Sequence, residues 1–240
     1  MSMINAQNSP SIRPIYDELK LYYRHAEEEN LFLLGPETNS HKADWLKRQI
    51  NALSGLGWKF LILDMSQRNV MGRTDILGGE WSNIERNAIL KFVPPVYIRI
   101  PTFRALLDTL DEVNIIKLNY PQTKHITMVY LGETRALAPE EKDALYGALL
   151  KLSTYQHGIW LAAERFQAFP LDKLDLFQTQ IVFADEDDTD IEFPKWAKQY
   201  NLADLNEGEL DEEEAYCLLR GKTSGPGRLL ISNLSDWRNL

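Results

Sequence analysis

One cysteine, Cys217, in a chain of 240 residues can form neither an internal disulfide nor a thiolate metal cluster. Histidines are few: His25, His41, His125 and His157 lie scattered, without metal-ligand spacing. Long apolar runs are missing as well. Stretches such as Leu31 to Leu34 fall far short of the roughly 20 residues that cross a bilayer, and the polar start has no apolar signal core. These absences point to a cytoplasmic protein with no metal site and no membrane insertion. With no Gly/Ser- or Pro-rich linker, repeat or low-complexity tract, one body with appendages is expected rather than two domains. An apolar fraction of 44% is enough to build its core.

The net charge of −9 is unevenly spread. Residues 185–214 hold thirteen carboxylates against Lys195 and Lys198, a local balance of −11, which leaves +2 for the rest. Such a stretch repels a polyanion, so any contact with DNA must use the remainder of the chain or a neighbouring subunit. It is not a calcium loop. Counted from Asp185, the sixth position is Asp190 where glycine is needed, and the twelfth is Trp196 where glutamate is needed.

Periodicity supplies the organisation. Ile15, Leu19, Tyr22, Tyr23 and Ala26 recur at helical spacing after Pro14, giving an amphipathic N-terminal arm over 1–29. Short apolar runs then alternate with amphipathic ones. Strands are expected at Leu31–Leu34, Lys59–Leu63, Val96–Ile100, Ile126–Leu131, Ile159–Ala163, Thr179–Phe183 and Arg228–Ser232. Helices are expected near Ala43–Leu53, Trp81–Leu90, Thr102–Val113, Pro139–Leu152 and Asp211–Leu219. Runs such as Phe60-Leu61-Ile62-Leu63 are apolar on both faces, as in a parallel strand covered on each side. The class is α/β, three-layer αβα with a mostly parallel central sheet. Residues 30–184 form its core, and 185–240 supply an acidic segment, a helix and a final strand.

Ligands of such sheets sit outside the carboxyl ends of the strands. The first strand runs into Gly35-Pro36-Glu37-Thr38-Asn39-Ser40-His41-Lys42-Ala43 and then a helix. A phosphate-binding loop uses glycines to turn N–H groups inward, a lysine on the β/γ-phosphates and a hydroxyl on Mg²⁺. Against G-x-x-x-x-G-K-[ST], Lys42 lies one residue too far from Gly35, His41 replaces the second glycine, and Ala43 has no oxygen. A plain strand-to-helix turn capped by Asn39 or Ser40 is the competing reading. After Ile126–Leu131 comes Gly132-Glu133, where phosphohydrolases place an Asp for Mg²⁺ and a Glu to polarise water; the Asp position is Gly132. If the topology is parallel, Glu164 and Arg165 lie within reach of Glu133, and a cation such as Lys42 or Arg165 would hold the two carboxylates apart.

Taken in order, these pieces resemble a family. Leu31-Phe32-Leu33-Leu34-Gly35-Pro36 with Lys42, Phe60-Leu61-Ile62-Leu63-Asp64, Met128-Val129-Tyr130-Leu131-Gly132-Glu133, Gly158–Arg165 with Phe169-Pro170, Gln180-Ile181-Val182-Phe183 and Gly225-Pro226-Gly227-Arg228 look like the P-loop ATPase core of the FtsK/HerA group, over residues 30–232. That group includes DNA translocases, conjugative coupling proteins and viral genome-packaging motors. The resemblance implies a P-loop NTPase-like fold with a nucleotide site at Gly35, Asn39, Ser40, His41 and Lys42. It puts Asp64 at the acid ending the second strand, Glu133 at the catalytic glutamate and Glu164 at the polar sensor position, with Arg165 beside it.

The departures at His41, Ala43 and Gly132 remove two groups that hold Mg²⁺, so a degenerate, non-hydrolysing relative is expected, a pseudo-ATPase serving as a structural or assembly subunit. No cofactor is expected unless the loop still binds ATP and Mg²⁺. Expected partners are a protein or further copies of the chain, with DNA reached through the assembly. The N-terminal arm, the acidic stretch and the basic residues Arg220, Lys222, Arg228 and Arg238 offer surfaces for head-to-tail contact. Two enzyme alternatives stay open: an active ATPase with an atypical loop, or a metal-dependent nuclease built on Asp64, Glu133 and Glu164. A Ser hydrolase is disfavoured, because no G-x-S-x-G elbow occurs.

Overall fold

A computed structural model describes residues 30–36, 40–55, 57–66, 96–119, 125–132, 137–153, 158–183, 192–200, 214–219 and 228–233. Among these residues eight strands form one sheet: β1 (Leu31–Leu34), β2 (Lys59–Asp64), β3 (Val96–Arg99), β4 (His125–Tyr130), β5 (Gly158–Ala163), β6 (Thr179–Phe183), β7 (Glu214–Leu219) and β8 (Arg228–Asn233). Their order across the sheet is β3-β2-β4-β5-β1-β6-β7-β8. The first six are parallel; β7 runs antiparallel to β6, and β8 antiparallel to β7, which returns it to the direction of the six.

Alternate residues of the strands feed two separate cores, which is why these runs are apolar throughout. Leu31, Leu33, Phe60, Ile62, Met128, Trp160 and Ile181 pack with Trp45, Leu46, Ile50 and Leu53 of helix α1 (Ser40–Gly55). Phe32, Leu34, Leu61, Leu63, Val129 and Leu161 pack on the opposite face against α2 (Phe103–Asn119) and α3 (Pro139–Ser153). The helices carry their own stop and start signals. Gly57, at φ +88°, ends α1 with the paired bonds of a Schellman turn, Trp58 N–H to Leu53 O at 3.0 Å and Gly57 N–H to Ser54 O at 3.0 Å. Thr102 caps α2 through its hydroxyl, 3.2 Å from the Ala105 N–H. Pro139 opens α3, and Glu141 reaches back to the Ala138 N–H at 2.9 Å.

The helix expected near Asp211–Leu219 is corrected: residues 214–219 are the strand β7. Ala215 faces the α1 side, whereas Tyr216 and Leu218 are buried on the other, so the segment is apolar on both faces and fits a covered strand rather than a one-sided helix stripe. A short helix, α4 (Phe193–Gln199), lies inside what composition marks only as acidic. Its Phe193 and Trp196 are buried, with Trp196 stacked on Phe166 at 5.5 Å. Two 3₁₀ turns, Phe166–Ala168 and Leu171–Leu176, follow β5. The N-terminal arm and the helix near Trp81–Leu90 lie outside the described residues. Among the described residues, no helix is long and apolar enough to cross a membrane.

Candidate functional site

Parallel strands finish at a common edge. Leu34 of β1 stands beside Ala163 of β5, Ala162 beside Tyr130 of β4, and Tyr130 beside Asp64 of β2. The ladder runs one step further: Gly35 N–H donates to Ala163 O at 3.2 Å, Leu131 N–H to Ala162 O at 2.8 Å, Met65 N–H to Tyr130 O at 2.9 Å and Ile100 N–H to Asp64 O at 2.7 Å. Gly35, Glu164, Gly132 and the end of β2 are thereby brought to one rim, beside the start of α1. This is the rim that strand-end reasoning selects.

At its centre Lys42, on the first turn of α1, is turned inward and only 1% exposed. Its ammonium donates to the carbonyls of Gly35 and, at 3.1 Å, of Ala163, and stands 5.2 Å from the centre of the Tyr130 ring. Two carbonyl dipoles and a π face are what a cation needs when it is taken out of water. Gly35 itself sits at φ +147°, with room for no side chain, because an added Cβ would lie 2.8 Å from the Cβ of Phe183.

Asp64 is the second buried charge, 2% exposed. The Ser66 N–H donates to one of its oxygens at 2.7 Å and the Tyr97 hydroxyl to the other. Burial pushes the carboxyl above its ordinary value, while hydrogen bonds from Ser66 and the charge of Arg99 pull the other way without cancelling it. A carboxyl whose folded-state pKa is raised contributes most below the unfolded value of 3.8, and that contribution is lost as pH rises through the folded value. Urea midpoints of the Asp64→Asn variant relative to the parent therefore shift in the variant's favour between pH 3 and pH 7. A constant difference across that range would show that burial exacts no cost here.

Of the other residues singled out in the sequence, Glu164 is half-buried and Arg165 exposed, in the turn after β5. Ser40 and His41 lie on the first turn of α1; their side chains, with Asn39 and Glu133, lie outside the described residues. The structure brings Gly35 and Lys42 together with the end of β5, and sets Asp64 two strands away, its oxygens occupied by Ser66 and Tyr97. Ala43 follows Lys42 and Gly132 comes two residues after β4, both half-buried, and neither has a side-chain oxygen. The donor set at these two positions does not fit Mg²⁺ beside a triphosphate. Among the described residues, no three His, Cys, Asp or Glu side chains converge as a metal site. Sequence reasoning missed Tyr97, Ser66, Tyr130 and the Ala163 carbonyl. A tyrosine within each of two apolar runs, Tyr97 near the start of one and Tyr130 at the end of the other, was the available signal; a carbonyl leaves none.

A parallel sheet covered on both faces, with a strand–loop–helix whose lysine sits at the sheet's carboxyl edge, is the three-layer P-loop NTPase-like fold expected from the ordered strand-end motifs. The sequence matches no protein-family model and no curated protein. Among solved structures the chain resembles B204, the DNA-packaging ATPase from Sulfolobus turreted icosahedral virus, at TM-score 0.61 and 12% identity over 85% of this chain and 96% of that one. It also resembles the genome packaging NTPase B204 from Sulfolobus turreted icosahedral virus 2 in complex with ATP-gammaS, at TM-score 0.55 and 14% identity over 85% and 97% of the two chains. The cytoplasmic domain of the Thermomonospora curvata type VII secretion ATPase EccC matches at TM-score 0.50 and 8% identity, over 87% of this chain and 24% of that one. At these identities the likeness is one of fold.

Proposed function

We propose that this chain is a P-loop ATPase-like protein that has kept the three-layer body and the loop lysine but does not hydrolyse ATP, and that it works as a structural or assembly subunit of a DNA-handling, secretion or phage-type machine. One observation carries the reading: the two positions that should offer oxygens to Mg²⁺ are Ala43, next to a lysine that donates to backbone carbonyls, and Gly132, at the rim after β4. Each lost electrostatic contact of this kind lowers turnover by about 10²–10³-fold. The fold outlasts the loss because its two cores are built from strand and helix packing, not from ligand chemistry. Its partners are a protein or further copies of the chain in the cytoplasm, and an assembly of them is the route by which it would meet DNA.

The retained lysine at the start of α1 and the likeness to a neighbour solved with ATP-gammaS favour a second reading, an active ATPase with an atypical loop. Phosphate release from ATP·Mg²⁺ separates the two. The expected result is no release above the buffer rate, unchanged by Glu133→Gln. Turnover that Glu133→Gln abolishes would replace the first reading with the second.

A further inference from the structure

We infer that the outer edge of β8 is a contact surface for a second copy of this chain, which pairs its own β8 there in antiparallel fashion and carries the sheet across both copies. Among the described residues β8 is the last strand on its side of the sheet. It keeps unbroken antiparallel register with β7 over all six of its residues, so no bulge turns the edge aside. In an antiparallel ladder alternate residues point their N–H and C=O groups away from the partner strand, which leaves half of β8's backbone directed outward. The sequence does nothing to blunt that edge. Leu229, Leu230 and Ile231 fill its middle, the one charge is Arg228 at its start, and no proline or lysine interrupts it. The other side of the sheet is treated differently. Strand β3 has four residues, between Pro94-Pro95 and Pro101, the short and proline-flanked form that discourages pairing.

A second copy is the occupant that the charges select. Glu214 opens β7 and is its only charged residue; Arg228 opens β8 and is its only one. Because the two strands are antiparallel, with Glu214 beside Asn233 and Leu219 beside Arg228, the hairpin is acidic at one end and basic at the other. An antiparallel copy brings the basic end of each hairpin to the acidic end of its neighbour, across two strand spacings or about 10 Å, a distance over which charges still attract at low salt. A parallel copy would set like ends together. A two-fold axis through the sheet closes the antiparallel pair, so each copy uses the same surface and the assembly ends at two. Register follows from the same symmetry. Residues that face each other in a ladder lie on the same side of the sheet, and sides alternate along a strand, so the two-fold makes one residue face its own copy. With Leu230 at that point, Leu229 faces Ile231 and Arg228 faces Ser232, and each apolar residue of the three meets an apolar one. Centred on Ile231, Leu229 would face Asn233. This contact goes beyond the assembly reading by giving it a surface, and it is independent of the loop after β1: it stands whether or not ATP is hydrolysed.

Sedimentation equilibrium of the full chain reads the first consequence, which is twice the mass of one chain at low salt, falling towards one chain as salt rises or the protein is diluted. Hydrogen exchange under the same conditions reads the place. Amides of β8 are expected to lose protection on dilution, while those of β1, inside the sheet, keep theirs. Leu230→Cys in a Cys217→Ser background reads the register. Mild oxidation is expected to join two chains, because facing residues of an antiparallel ladder lie within disulfide reach; Arg228→Cys, whose copy lies four positions away along the ladder, is expected not to join them. A single chain at every concentration would overturn the inference. So would a dimer whose β8 amides exchange alike when concentrated and dilute, since the contact would then lie on another surface; both arms use the parent chain and decide the matter if Leu230→Cys does not fold. Cross-linking through Arg228→Cys and not through Leu230→Cys would overturn the register. None of these outcomes bears on phosphate release from ATP, which tests the proposed function separately.

Discussion

Gly35→Ala is expected to cost the folded state about 3 kcal/mol or more, the sum of a backbone held where side chains are strained and an overpacked contact. The first contribution comes from φ +147°. The second comes from Phe183, whose Cβ lies 2.8 Å from where the new methyl would go. No rotamer change relieves it, because a Cβ is fixed by its own backbone, and β6 is held to β1 in register, Val182 beside Leu34. Truncation of the ring by Phe183→Ala keeps the offending atom and therefore gives no relief. Urea unfolding followed by tryptophan fluorescence reads the cost as a lower midpoint at unchanged slope. A loss below about 1 kcal/mol would show that the loop yields at this point, since a native strained glycine site does not tolerate alanine so lightly.

The second large effect lies away from the rim, at Gln180. This side chain is 0% exposed and joins β6 to α4 and the longer 3₁₀ turn. Its oxygen accepts the Trp196 indole N–H at 2.7 Å, and its nitrogen faces Leu174 O at 3.2 Å, Phe177 O at 3.3 Å and the Tyr200 hydroxyl at 2.9 Å. The orientation is unambiguous, because an indole N–H can only donate. Gln180→Leu leaves the Trp196 N–H and at least one acceptor buried without a hydrogen bond, at about 1–3 kcal/mol for each, so a loss of about 3–5 kcal/mol is expected. Gln180→Glu sharpens the test. Facing two carbonyls, the new carboxyl must keep its proton in the folded state, so its pKa rises above the ordinary value of about 4.3. Stability of that variant is then highest below about pH 4.3 and falls as pH increases through the folded value. Equal urea midpoints at pH 4.5 and 7.5 would mean that the amide's nitrogen does not face these acceptors.

The fold was legible where burial on both faces forced a pattern. Runs such as Phe60–Leu63 and Ile126–Leu131 could only be covered strands, and β1 and β6 begin and end where their apolar runs do. It was not legible where charge masked the pattern: the carboxylates before Ala215 imitate the acidic first turn of a helix, and those around α4 hide the buried Phe193 and Trp196. The rim was partly legible, because Gly35 directly follows an apolar run, Asp64 closes another, and Lys42 stands where a helix starts shortly after Gly35. The partners of those residues were not. Tyr97 meets Asp64 across 33 positions, and the Ala163 carbonyl that Lys42 grips belongs to a backbone every residue shares.

The antiparallel pair β7 and β8 has a consequence for synthesis. Strand β6 borders β1, the strand that leads into the loop, and its outer edge is paired with β7, which leaves the ribosome some thirty residues later. Until residue 219 emerges, the nascent chain presents β6 as a bare row of peptide donors and acceptors, the kind of edge that recruits stray strands. The carboxylates that lie between β6 and β7 in the sequence emerge during that interval, and they repel their counterparts on neighbouring nascent chains.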